Sequence, residues 1–270
     1  MRSVQAARPK VRWRTLALPN EHGVWAFLLE PALLGLGLRP SAAGLAFVAA
    51  ALGALLAQHP LSLALADLRR GKRFPRTMPA LLLACAYGVA TLAALAGARL
   101  LGSPWAAFAP LGLAVPVALV QLGLDARNRS RAASAELAGA LALGAVAAVA
   151  VLAGHGGWVA ALALWLVAAG RDLPSILYVR ARLRRQRGQA AGRTGPVAAH
   201  AVAVLAVAGV AAAGALPWLA VGAFALLTVR AAWGLGPRAR PLAAKHVGML
   251  ELAYGVGTVA AVLGGMWLGW

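Results

Sequence analysis

Two short segments of this chain set polar side chains inside otherwise apolar runs. The first is Gln58-His59-Pro60, followed by Asp67, Arg69 and Arg73. The second is Arg171-Asp172-Leu173-Pro174, followed by Ser175, Tyr178 and Arg182. Arg171, Ser175, Tyr178 and Arg182 follow three- and four-residue spacing, so a helix puts them on one face. That face offers a deep cation, two hydroxyls and a shallower cation, which suits an anionic head group with an apolar tail. Arginine keeps its charge at depth and presents a planar fork to such a group. The other reading of these residues is structural: Arg171 pairs with Glu30 or Asp172, and Tyr178 anchors an interface.

Depth follows from helix rise. His59 lies ten residues before Arg69, roughly 15 Å from that end of its helix. Arg171 lies nine residues before Arg180, about 13 Å deep. Glu30 sits nine residues beyond Glu21, at similar depth, and Glu251 is shallower. Ionisable side chains at such depth face a bundle interior or a cavity. Pro60 and Pro174 each remove a backbone donor beside these residues. Paired interruptions in corresponding membrane segments point to a binding site. The expectation is one cytoplasm-facing pocket lined by Gln58, His59, Asp67, Arg171, Asp172, Ser175 and Tyr178. His22, beside Glu21, is a candidate head-group contact at the start of the first helix. Glu21, His22, Glu30, Arg69, Arg73 and Arg182 complete the candidate ligand-binding set.

The elements that must hold these residues are apolar runs at about 22–38, 42–66, 77–98, 104–124, 134–153, 157–180, 196–214, 216–233 and 248–268. Most reach the ~20 residues that cross ~30 Å of hydrocarbon. The expected fold is therefore all-α, a bundle of about nine transmembrane helices. A basic segment, 1–21, precedes one transmembrane domain, 22–270. With the amino terminus inside, 23 of the 26 Lys and Arg residues fall before helix 1 or after helices 2, 4, 6 and 8. Only Arg39 and Arg99 fall in the opposite loops. This parity predicts an inner-membrane protein with a cytoplasmic amino terminus and an external carboxy terminus. The segment 181–195 reads as a polar, basic loop.

Composition narrows the function. Of 270 residues, 61% are apolar and 12% charged, against about 25% charged in soluble domains. The formal charge of +19 comes from short clusters between apolar runs. It reads as a topology signal, with no nucleic-acid partner expected. A single cysteine, Cys85, rules out an intramolecular disulfide and a thiolate cluster. His155, His200 and His246 are scattered and show no metal spacing.

Pro19-Asn20-Glu21-His22-Gly23-Val24-Trp25-Ala26 resembles the opening of the YwiC-like family of bacterial membrane proteins. Asp67-Leu68-Arg69-Arg70-Gly71-Lys72-Arg73-Phe74-Pro75-Arg76-Thr77 and the segment 171–180 are also similar to that family. The resemblance implies a membrane protein and no particular activity. The layout further resembles the UbiA-type prenyltransferases, in which Asp-rich motifs after helices 2 and 6 hold Mg²⁺ on a prenyl diphosphate. Here Asp67 and Asp172 each stand alone, with Gly71 and Ile176 four residues on. Lone carboxylates argue against Mg²⁺, and no cofactor is expected.

Three function classes follow. One is a UbiA-like protein that binds or modifies an anionic isoprenoid or similar amphiphile, with arginines as the charge clamp. It would be a degenerate prenyltransferase if it is an enzyme. The second is a transporter or permease for a small anion, and the third is a membrane partner without catalysis.

Overall fold

The computed structural model describes residues 13–18, 24–130 and 132–269. They form helices α1 (Trp13–Ala17), α2 (Val24–Leu38), α3 (Ala42–Arg69), α4 (Thr77–Leu100), α5 (Leu111–Asp125), α6 (Ala133–Ala153), α7 (Trp158–Gln186), α8 (Thr194–Ala212), α9 (Trp218–Gly234) and α10 (Ala244–Leu268). A 3₁₀ turn, Trp105–Phe108, leads into α5. Among the described residues there is no strand.

Among the described residues, seven helices are long and apolar enough to cross a membrane, α5 being counted with its 3₁₀ turn. Two more, α2 and α9, are apolar but shorter, at 15 and 17 residues. At about 1.5 Å per residue α2 rises only about 22 Å, so local thinning or flanking residues must cover the difference. Together these are the nine expected segments. The chain is a multi-pass helical membrane protein.

Helices α6 and α7 pack along each other, and α2 leans on both. Helices α3 and α5 pack against α6, and α4 packs on α3. Helix α8 packs on α7 and on α9, and α10 returns to touch α9 and α2. Residue size explains the centre. Between Gly144 and Ala153 every residue of α6 is buried, and most are glycine, alanine or valine, which let backbones approach closely. A Cβ at Gly35 of α2 would stand 2.6 Å from the Ala147 carbonyl oxygen, so no larger residue fits that crossing. Outer helices turn the opposite way. Leu82, Val89, Leu92, Leu113, Leu119, Val202 and Leu205 are exposed, as lipid-facing residues should be.

Two expectations need correction. Helices α3 and α7 run unbroken through Pro60 and Pro174. Each proline costs one backbone hydrogen bond, which long, well-packed membrane helices tolerate. The expected loop at 181–195 is half helix, because α7 continues to Gln186. Its extra turns are held by Arg185, which donates to the Leu235 carbonyl at 2.7 Å.

Reporter fusions at residue 190 and at the carboxy terminus are expected to report opposite sides of the membrane. The same side for both would remove one span from the bundle.

Candidate functional site

Among the described residues, most polar side chains of the interior gather in two places. The first is a buried charge cluster between α2, α7, α9 and α10. Arg171 of α7 is only 3% exposed. Its Nε meets Glu30 of α2 at 3.0 Å, and its Nη1 meets Asp172 at 3.4 Å and Glu251 of α10 at 3.9 Å. Its Nη2 donates to the Glu251 carbonyl oxygen at 2.5 Å. Arg230 of α9 pairs with the other Glu251 oxygen at 2.5 Å. It also donates to Ser175 and to His200, each at 3.4 Å. The Arg230 guanidinium lies 4.3 Å from the Tyr178 ring and 4.9 Å from the Tyr254 ring, a cation–π sandwich. Gly255 is required here, since a Cβ would collide with the Glu30 carboxylate.

Beside this cluster is a cavity of about 290 Å³, lined among others by Tyr178, Arg182, Arg230, Glu251 and Tyr254. Arg182 hydrogen-bonds the Tyr178 hydroxyl and the Arg240 carbonyl at 3.3 Å. The side of α7 that carries Arg171, Ser175, Tyr178 and Arg182 thus faces α9, α10 and the segment between them.

The second place lies on the far side of α6. A cavity of about 540 Å³ is lined by Gln58, His59, Ser62, Gln121, Asp125, Asn128, Ser130 and Glu136, with apolar residues of α2, α3 and α6. Gln58 donates to Asp125 at 2.6 Å. His59 Nε2 lies 3.1 Å from the Thr15 carbonyl oxygen. Glu136 pairs with Arg180 at 2.7 Å. This cavity adjoins a second one of about 460 Å³ between α3, α4, α5 and α6, lined almost wholly by apolar side chains. The two share Leu55, Gln58, Gln121, Gly139 and Leu143.

The expected single pocket is therefore divided. Gln58 and His59 line the cavity by α5, Tyr178 and Arg182 line the cavity by α9, and these two cavities have no lining residue in common. The packed centre of α6 separates them. Glu30, Asp172 and Ser175 are in the charge cluster with Arg171. Asp67 is fully buried elsewhere, and both its oxygens are used: Arg76 donates at 2.8 and 3.1 Å and Thr77 at 3.0 Å. This hydrogen bond raises the Arg76 guanidinium further above its ordinary range. Arg69 and Arg73 are exposed. Glu21 and His22 lie outside the described residues.

Asp67 is thus a clasp that fixes the turn from α3 into α4. Asp67→Asn is expected to cost about 2 kcal/mol, the scale of charge-assisted hydrogen bonds. Unfolding of the variant by detergent titration checks it, and no loss would mean that the clasp is slack.

The sequence reading misses Arg230, Gln121 and Asp125. By position Arg230 counts with the basic loops, yet its side chain is 7% exposed. A signal exists: apolar residues flank it on both sides, up to Trp233. Gln121 and Asp125 stand four apart and share a helix face. No group of three His, Cys, Asp or Glu among the described residues is arranged to hold a metal ion.

A family model described as YwiC-like protein matches residues 18–151. No curated protein and no solved structure matches the chain.

Proposed function

Taking the chain as a member of the YwiC-like family through residues 18–151, we propose that it holds a membrane amphiphile in the joined cavities between α3, α4, α5 and α6. The observation that carries this reading is their adjacency: a polar mouth and an apolar chamber share five lining residues. Every residue that lines either cavity lies inside the family-matching stretch.

The chamber exists because its walls are small at the crossings. Ala50, Ala54, Ala114, Ala118 and Ala142 line it, and their methyl groups leave a slot where larger side chains would meet. An acyl or isoprenoid chain fits such a slot without an unpaired polar atom. The mouth offers amide and hydroxyl donors for a head group, from Gln58, Ser62, Asn128 and Ser130. Arg127 and Arg129 stand exposed on either side of Asn128, so the approach to the mouth is basic and favours an anionic head group. The Arg-rich end of the bundle faces the cytoplasm of a bacterial inner membrane, by the distribution of Lys and Arg.

This placement differs from a metal-dependent UbiA-type transferase. Asp67 and Asp172, the positions that resemble its motifs, face the guanidiniums of Arg76 and Arg171. They do not fit a Mg²⁺–diphosphate site, and no bond-making step is assigned to them. Native mass spectrometry of the full chain, released gently from its membrane, tests the proposal. A stoichiometric lipid adduct of one head-group class is expected. A lipid-free protein, or adducts that mirror the bulk lipid, would sink it.

A further inference from the structure

The charge cluster has an imbalance. Three carboxylates, Glu30, Asp172 and Glu251, meet two guanidiniums, Arg171 and Arg230. His200 does not make up the difference. Its Nδ1 lies 2.8 Å from the Pro196 carbonyl oxygen, which can only accept, so Nδ1 carries the proton. Its Nε2 then accepts from Arg230, and a ring with one accepting nitrogen is neutral. Of the other groups facing the cluster, Tyr178 and Tyr254 lay their rings against Arg230. Arg182 stands at the open end, bonded to Tyr178 and Arg240. With all three acids ionised, one negative charge would be left over inside a membrane helix bundle.

The carboxylate oxygens point the same way. Glu30 Oε1, Asp172 Oδ2 and Glu251 Oε2 are buried and have no hydrogen-bond partner. Asp172 is fully buried and Glu30 is 6% exposed. A buried carboxylate oxygen without a donor is costly. One acid hydrogen on a member of this set would donate to a second of these oxygens and cancel the excess charge together.

We infer that the Glu30–Asp172–Glu251 cluster is a binding site for one proton, loaded from the cavity that Glu251 lines. That cavity touches Glu251 and Arg230, whereas Glu30 and Asp172 lie behind them. Glu251 is therefore the entry, and the inner carboxylates hold the proton. Glu30 belongs to α2, Asp172 to α7 and Glu251 to α10, so the site joins three helices. This site is separate from the lipid cavity, and neither reading depends on the other.

Infrared spectroscopy of the full chain in lipid nanodiscs tests it. The chain has only seven acidic side chains, so a carboxylic-acid C=O band can be assigned by substitution. At neutral pH the wild type is expected to show one protonated, deuterium-sensitive band. Glu30→Gln, Asp172→Asn and Glu251→Gln each leave two acids against two guanidiniums, so each is expected to abolish it. Three variants guard against one that fails to fold. Absence of the band in wild type, or its survival in all folded variants, overturns the inference. A band that appears only when sodium is replaced by choline overturns it too, in favour of a metal cation.

Discussion

Arg171→Gln is expected to lower stability by about 3–5 kcal/mol, the range for removing one partner of a buried ion pair. The size follows from what Arg171 touches. It meets carboxylates on α2, α7 and α10 and a backbone carbonyl on α10, so its loss leaves three acids facing Arg230 alone. Arg171→Lys should recover only part of the loss, because one ammonium cannot span contacts made by Nε, Nη1 and Nη2. The double variant Arg171→Gln with Glu30→Gln returns the cluster to the wild-type excess of one carboxylate, and it is expected to regain at least half of the loss. Reversible unfolding by detergent titration measures all three. A double variant as unstable as the single one would mean that burial of the introduced amide dominates over charge. In the folded fraction, lipid retention should be unchanged, since Arg171 does not line the joined cavities.

The bundle is legible in the sequence because the relevant signals are one-dimensional. Span length and the alternation of basic loops depend on composition along the chain. The pairing of Arg171 with Glu30 is also open to reading, because both residues are too deep to be left unpaired. What cannot be read is which helices adjoin. Gln58 and Tyr178 sit on helices with matching proline positions, which suggests a shared pocket, yet α6 packs between them. Its run of small residues is a packing surface whose partners are set by three-dimensional fit. Arg230 illustrates another limit: a cation near the end of an apolar run looks like a topology signal whether its side chain points out or in. Only the position of Glu251 on α10 decides that it points in.

Gly139→Leu is expected to reduce retained lipid at least tenfold while leaving the bundle folded. Gly139 lines both the polar mouth and the apolar chamber, so a side chain there stands in the passage between them. An added Cβ would already lie 2.6–2.7 Å from the Gln121 side-chain amide. Gln121 is partly exposed, and the atoms met are the far end of a flexible chain. Gly139→Ala should therefore displace Gln121 and little else, with a small effect. Leucine adds three more carbons, which have no room except the passage. A lipid chain already lies in apolar surroundings in the bilayer, so entering the chamber brings it little hydrophobic gain. Binding must then come from head-group contacts with the amide and hydroxyl donors of the mouth, made while the chain still threads past Gly139. Blocking the passage removes those contacts together, which is why the effect is large. The measurement is lipid bound per protein by native mass spectrometry, with unfolding by detergent titration as the control. Undiminished lipid in a folded Gly139→Leu protein would show that whatever binds this membrane protein does not pass between α3, α5 and α6.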